Sequence, residues 1–229
     1  MPYVFDPIET PSVAVTGTDR RFPVRRIFCV GRNYAEHARE MGGDPDRAPP
    51  FFFTKPADAI VESGAKITFP KITKDFHHEV ELVIAIGKEG ENIPVQDARE
   101  HIFGFAVGID LTRRDLQKIA KEKGRPWDSG KAFDQSAPCG AITPVAEIED
   151  IETAKIWLTV NEDTRQSATI ADLIWSIEEV IAVLSEAFIL MPGDLIYTGT
   201  PAGVSSLSIG DHIIGHVDGL SPIDIRLTS

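Results

Sequence analysis

The 229 residues carry 23 Lys and Arg against 35 Asp and Glu, a formal charge of −12, and 42% of them are apolar. Phosphate neutralisation needs a surplus of Lys and Arg, so this balance excludes a nucleic-acid surface. The apolar fraction is enough for one large domain to fold without staples.

The N-terminus, "MPYVFDPIETPSVAV", has neither a basic nor an apolar leader region, so a cytoplasmic location is expected. Residues 1–22 are Pro- and Thr-rich and predict a loose arm or lead-in strand ahead of one domain over 23–229. "RIFCVG" (26–31) predicts a buried strand with Cys29 as plain core packing. "NYAEHAREM" (33–41) predicts a short helix begun at Asn33, a favourable cap. "GGDPDRAPP" (42–50) predicts a loop, and "FFFTKP" (51–56) a short strand closed by proline.

From 66 onward strands dominate: "KITFP", "EVELVIAIG", "IFGFAVGIDLT", "KIWLTVN", "DLIYTGTP", "DHIIGHV" and "PIDIRLT" are rich in β-branched and aromatic residues. Turn signals such as "MPGD", "SIGD" and "HVDG" separate several of them. Helices are expected near 95–101, 112–123 and 176–190, the last with a capping-box pattern in Ser176 and Glu179. The longest apolar run, "VIAVLSEAFILM" (180–191), is too short and interrupted to span a bilayer. Cys29 and Cys139 make no disulfide framework. The pattern predicts a β-rich α+β sandwich or roll with helical insertions.

Chemistry-bearing residues cluster in three places. In "FHHEVEL" (76–82), strand alternation puts Glu79 and Glu81 on one face, with His77 and His78 at the strand's frayed start. Carboxylates that close repel unless a cation lies between them. Asp110, at the end of the next apolar strand, supplies a third acid. An all-carboxylate set suits Mg²⁺ or Mn²⁺ better than Zn²⁺, and Leu82 breaks the HExxH zinc pattern. Paired glutamates on a strand edge are also common without a metal, and the histidines read as surface or flanking residues.

In "GRNYAEHARE" (31–40), His37 and Glu40 share a helix face at i and i+3, the arrangement of an oriented general base or of a solvated surface pair. Cations follow in "DLTRRDLQK" and "GRPWDSGKAFD": Arg114 and Gln117 fall on one helical face after Asp110, and Lys131 in a Gly-flanked loop. "YTGTP" (197–201) offers backbone amides and Thr200 as a cradle for an oxyanion or carboxylate.

With "FCVGRNYAEHARE", "HHEVEL", "GIDLTRRDLQ", "GKAF" and "MPGDLIYTGTP" in order over about 200 residues, the sequence resembles the fumarylacetoacetate hydrolase family, and within it the small acylpyruvate hydrolases. The resemblance implies a mixed β-sandwich roll, usually a homodimer. It implies that Glu79, Glu81 and Asp110 bind Mg²⁺ or Mn²⁺ and that His37 and Glu40 activate water on a segment able to order over substrate. Lys131 would stabilise the enolate or oxyanion, while Arg114, Gln117 and Thr200 would contact substrate. The implied reaction is C–C hydrolysis of a 2,4-dioxo acid, fumarylpyruvate to fumarate and pyruvate in gentisate breakdown. An oxaloacetate decarboxylase or a dioic-acid isomerase could use the same metal site, and a non-catalytic binder of 2-oxo acids is the alternative from another class.

Overall fold

The strand Val80–Ile86 reads VELVIAI and is buried at every position. A strand covered on both faces needs apolar side chains on both, which is why this run lacks the usual alternation. In the computed structural model, which describes residues 3–40 and 48–229, it lies inside an eight-stranded sheet. Across that sheet run Phe51–Lys55, Arg26–Gly31, Asp194–Tyr197, Val80–Ile86, Ile102–Ile109, Ala137–Cys139 and Ile60–Glu62, with Thr143–Pro144 pairing off Ile102–Ile109. Asp194–Tyr197 runs parallel to Arg26–Gly31 and antiparallel to Val80–Ile86, so the sheet is mixed.

A second sheet of five strands orders Asp163–Thr169, Lys155–Val160, His212–Val217, Ile223–Thr228 and Ala65–Thr68. Here alternation is plain: Ile156, Leu158 and Val160 are buried while Lys155 is exposed. Leu82, Ile84 and Val107 from the large sheet pack with Ile156, Ile213 and Ile225 from the small one. The result is a two-sheet sandwich with few helices. The helix α1 covers Ala35–Glu40, α2 Arg114–Glu122, α3 Asp128–Lys131 and α4 Ile177–Ala187. Ser176 and Glu179 close the expected capping box on α4, whose Val180, Ile181 and Leu184 enter the same core.

The opposite face of the large sheet carries Cys29, Val83, Ala85 and Tyr197, packed with Val13, Val15 and Phe22. Those three come from or follow a hairpin, Ser12–Ala14 with Arg21–Pro23, inside the segment expected to be a loose arm or lead-in strand. By the two-residue period, Glu81 shares this face with Val83 and Ala85. The site grows from there.

Several expectations shift. The turn at 95–101 is a 3₁₀ helix. The helix expected over 112–123 begins only at Arg114, because Thr112–Arg113 pair as a short strand with Phe76–His77. The loop expected at 42–50 lies, up to residue 47, outside the described residues, as does Met41 of the expected 33–41 helix.

Candidate active site

Two neighbouring strands deliver the acids. Val80 pairs with Ile109 and Glu81 with Gly108, so Glu79 and Asp110 meet just beyond the ladder. The Asp110 N–H donates to the Glu79 carbonyl at 2.8 Å. One carboxylate oxygen from each of Glu79, Glu81 and Asp110 lies within 4.8 Å of the other two, and all three residues are buried.

Three cations face them. Lys131 Nζ lies 2.7 Å from each of Glu79 Oε2, Asp110 Oδ2 and Thr112 Oγ1. Burial disfavours the ammonium, but Asp110 and Glu79 outweigh it and raise its pKa. Arg114 donates through Nη2 to Glu79 Oε1 and through Nη1 to Gln117 Oε1, the latter at 2.7 Å. Lys55 Nζ lies 2.8 Å from Asp110 Oδ1 and donates to the Leu111 carbonyl at 3.2 Å.

The compensation is uneven. Burial raises the proton affinity of Glu79, yet Lys131 and Arg114 reverse this and hold it far below the usual carboxylate range. Glu81 receives one hydrogen bond among the described residues, from the Gly199 N–H at 2.7 Å. Gly199 has φ +97°, a left-handed conformation that suits glycine. Burial, then Asp110 and Glu79, push Glu81 well above its ordinary value. A buried oxygen cluster with one corner short of positive charge fits a hard divalent cation, Mg²⁺ or Mn²⁺.

His37 enters the same cavity from α1, its Nδ1 3.3 Å from Glu40 Oε2. Glu40 stands behind it and also accepts from the Gly203 N–H at 3.2 Å, which ties α1 to the segment after Thr200. Burial lowers the His37 pKa, and the opposing pull of Glu79 and Glu40 does not restore it. Thr200 Oγ1 accepts from Gln166 Nε2 at 2.7 Å. His37, the three acids, Arg114, Gln117, Lys131 and Thr200 thus line one cavity, with Phe51, Phe53 and Trp127 as its apolar wall. A Cβ on Gly31 would meet the Phe51 ring at 2.1 Å, so only glycine lets that ring lie across the strand end.

Local readings need correction. Asn33 does not cap α1, which starts at Ala35: its side chain donates to the Thr198 and Trp175 carbonyls and accepts from the Trp175 N–H. Lys131 ends the short helix α3 rather than sitting in a loop. His78 is fully buried between Gln166 and Ser205 rather than frayed at a surface, because Gln166 can satisfy both it and the Val80 N–H. Sequence reasoning missed Lys55 and Gln166. The only signal for Lys55 was a lysine ending an aromatic strand just before proline, and Gln166 gave none.

The fumarylacetoacetate (FAA) hydrolase C-terminal family model matches residues 26–228. A fumarylpyruvate hydrolase from a Ralstonia species is 47% identical over 77% of this chain and 92% of its own length. The crystal structure of a fumarylpyruvate hydrolase from Pseudomonas aeruginosa in complex with Mn²⁺ and pyruvate superimposes with a TM-score of 0.97 at 49% identity, covering 99% of both chains. A mitochondrial oxaloacetate tautomerase from Mus musculus is 39% identical over 86% of this chain and 88% of its own.

Proposed function

The chain belongs to the fumarylacetoacetate hydrolase family, and we propose that it hydrolyses the C–C bond of a 2,4-dioxo acid, fumarylpyruvate giving fumarate and pyruvate. The observation that carries the reading is the convergence of a buried three-carboxylate cluster with an oriented imidazole in one cavity. Glu79, Glu81 and Asp110 hold Mg²⁺ or Mn²⁺. When bound, the cation supplies Lewis acidity to the 2-oxo acid end of the substrate and opposes the negative charge that develops on the departing pyruvate.

The chain's own groups do the rest. His37, neutral because burial lowers its pKa, accepts a proton from water at Nε2 while Glu40 holds Nδ1. The water oxygen adds to the 4-oxo carbon. Collapse of that adduct breaks the bond to C3, and the electron pair leaves with pyruvate as its enolate, which is then protonated. Lys131, already bridging Glu79 and Asp110, and Arg114 offset the substrate's negative charge, while Gln117 and Thr200 orient it.

The same reading places the enzyme in the gentisate route of aromatic breakdown, in the cytoplasm, as a homodimer. Among the described residues no helix is long and apolar enough to cross a membrane. The tautomerase relatives favour a second reading, proton transfer on oxaloacetate with His37 acting at carbon instead of water.

The deciding assay follows the absorbance of enolic fumarylpyruvate and acetylpyruvate, with Mg²⁺ and with EDTA. Metal-dependent loss yielding pyruvate and free acid in equal amounts is expected. No loss, but fast keto–enol exchange of oxaloacetate, would replace hydrolysis by the second reading. His37→Ala should lose about 10²–10⁴-fold in kcat and keep its metal.

A further inference from the structure

Within the inner site Lys55, Lys131 and Arg114 pair with Glu79 and Asp110, and Glu81 has the Gly199 N–H. Two further cations, Arg32 and Lys121, line the same cavity and have no role in that pairing. Among the described residues neither has a carboxylate within ion-pair distance. We propose that Arg32 and Lys121 form a second anion subsite that receives the distal carboxylate of a dicarboxylic 2-oxo acid, selecting diacids over acids with an uncharged tail. This deepens the reading above and rests on its placement of the 2-oxo acid end at the carboxylate triad.

The geometry supports a distal position. Arg114, Gln117 and Lys121 follow one another on the cavity side of α2, at i, i+3 and i+7, the first two buried and Lys121 exposed. Seven residues at about 1.5 Å each carry Lys121 roughly 10 Å beyond Arg114 along the axis. An extended diacid anchored beside Arg114 therefore reaches toward Lys121. Phe51 and Trp127, which line the same cavity, meet edge to face at 5.4 Å and offer an apolar surface for the substrate's carbon chain.

Arg32 joins the lining directly after the Arg26–Gly31 strand. Its φ is 66°, a left-handed conformation that is unfavourable for any residue with a Cβ. Such strain persists where the surrounding structure fixes a side chain for a task. Burial lowers the Lys121 pKa, and the neighbouring Arg32 and Arg114 lower it further, so the two subsite cations repel one another without an anion between them.

The test uses non-hydrolysed ligands, so it does not depend on which reaction the enzyme performs. Calorimetry on the Mn²⁺-loaded protein compares 2-oxoadipate with 2-oxohexanoate, which share head group and chain length and differ in the distal carboxylate. Wild type should bind the diacid more tightly. Arg32→Met and Lys121→Met should each weaken 2-oxoadipate by roughly 10- to 100-fold, the size of a lost charge-assisted hydrogen bond, and leave 2-oxohexanoate unchanged. Lys121→Glu, on an exposed position of the helix that should tolerate the change, should invert the preference.

Equal loss for both ligands, or no loss for the diacid, would overturn the subsite. In turnover, Arg32→Met should raise KM for fumarylpyruvate and spare acetylpyruvate. A wild type that hydrolyses neither but prefers the diacid in calorimetry would retain the subsite and discard the reaction.

Discussion

Asp194 and Glu81 are both enclosed carboxylates on adjacent strands of the large sheet, yet they are satisfied in different ways. Asp194 accepts from Arg25 at 3.1 Å, from Arg26 at 2.8 Å and from the Met191 N–H at 2.9 Å. Its charge is matched locally and its oxygens are fully used, which is how a fold keeps a buried acid for structure. Glu81 has the Gly199 N–H and two like-charged neighbours. A chain that can satisfy one buried acid so completely has left the other short, beside two further acids in the same cavity.

Removing each acid in turn should separate the two roles. Asp194→Ala leaves the Met191 N–H and two partly exposed arginines without their acceptor and should cost about 1–3 kcal/mol, read as a lower denaturant midpoint at unchanged slope. Activity per folded molecule should hold. Glu81→Gln should do the reverse: metal affinity, followed by titration calorimetry, falls more than about tenfold, a loss of about 1.4 kcal/mol or more. The metal-free midpoint does not fall, since burial and the neighbouring acids already favour the neutral form of Glu81 and the substitution replaces it with a neutral amide of the same shape. If Glu81→Gln unfolded as readily as Asp194→Ala, the distinction would be lost.

A smaller effect sharpens the contrast from a neutral group. Burial lowers the His78 pKa from 6.5 to about 4, so this imidazole stays uncharged in the fold. The unfolded chain binds the extra proton first, and stability therefore drops as pH falls from about 6.5 toward about 4. Between pH 7 and 5.5 the loss is about 1 kcal/mol. His78→Gln should flatten that part of the pH–stability curve; an unchanged curve would mean other groups set it.

The cluster of three acids was legible because its cause is local. Two-residue alternation fixes Glu79 and Glu81 on one face, and an acid ending the next hydrophobic strand lies beside them whenever those strands pair. His37 with Glu40, and Arg114 with Gln117, follow from helix periodicity in the same way. Lys55 and Gln166 escaped because their partners are distant: Lys55 meets Leu111 and Asp110, and Gln166 meets His78 and Thr200. A strand such as "DTRQSAT" reads as a solvated edge, and only the packing of the two sheets puts its glutamine inside. The sandwich class was readable from strand composition. The order of the strands was not, because parallel neighbours such as Arg26–Gly31 and Asp194–Tyr197 come from opposite ends of the chain.

The left-handed backbone at Arg32 has a consequence for how such a chain can change. Glycine adopts φ near 66° without the penalty of about 1–2 kcal/mol that a Cβ incurs. Selection for stability alone would therefore favour glycine there, while discrimination between substrates favours arginine. At this one position, robustness and selectivity are opposing demands, and Arg32→Gly would gain thermal tolerance by surrendering recognition of the diacid tail.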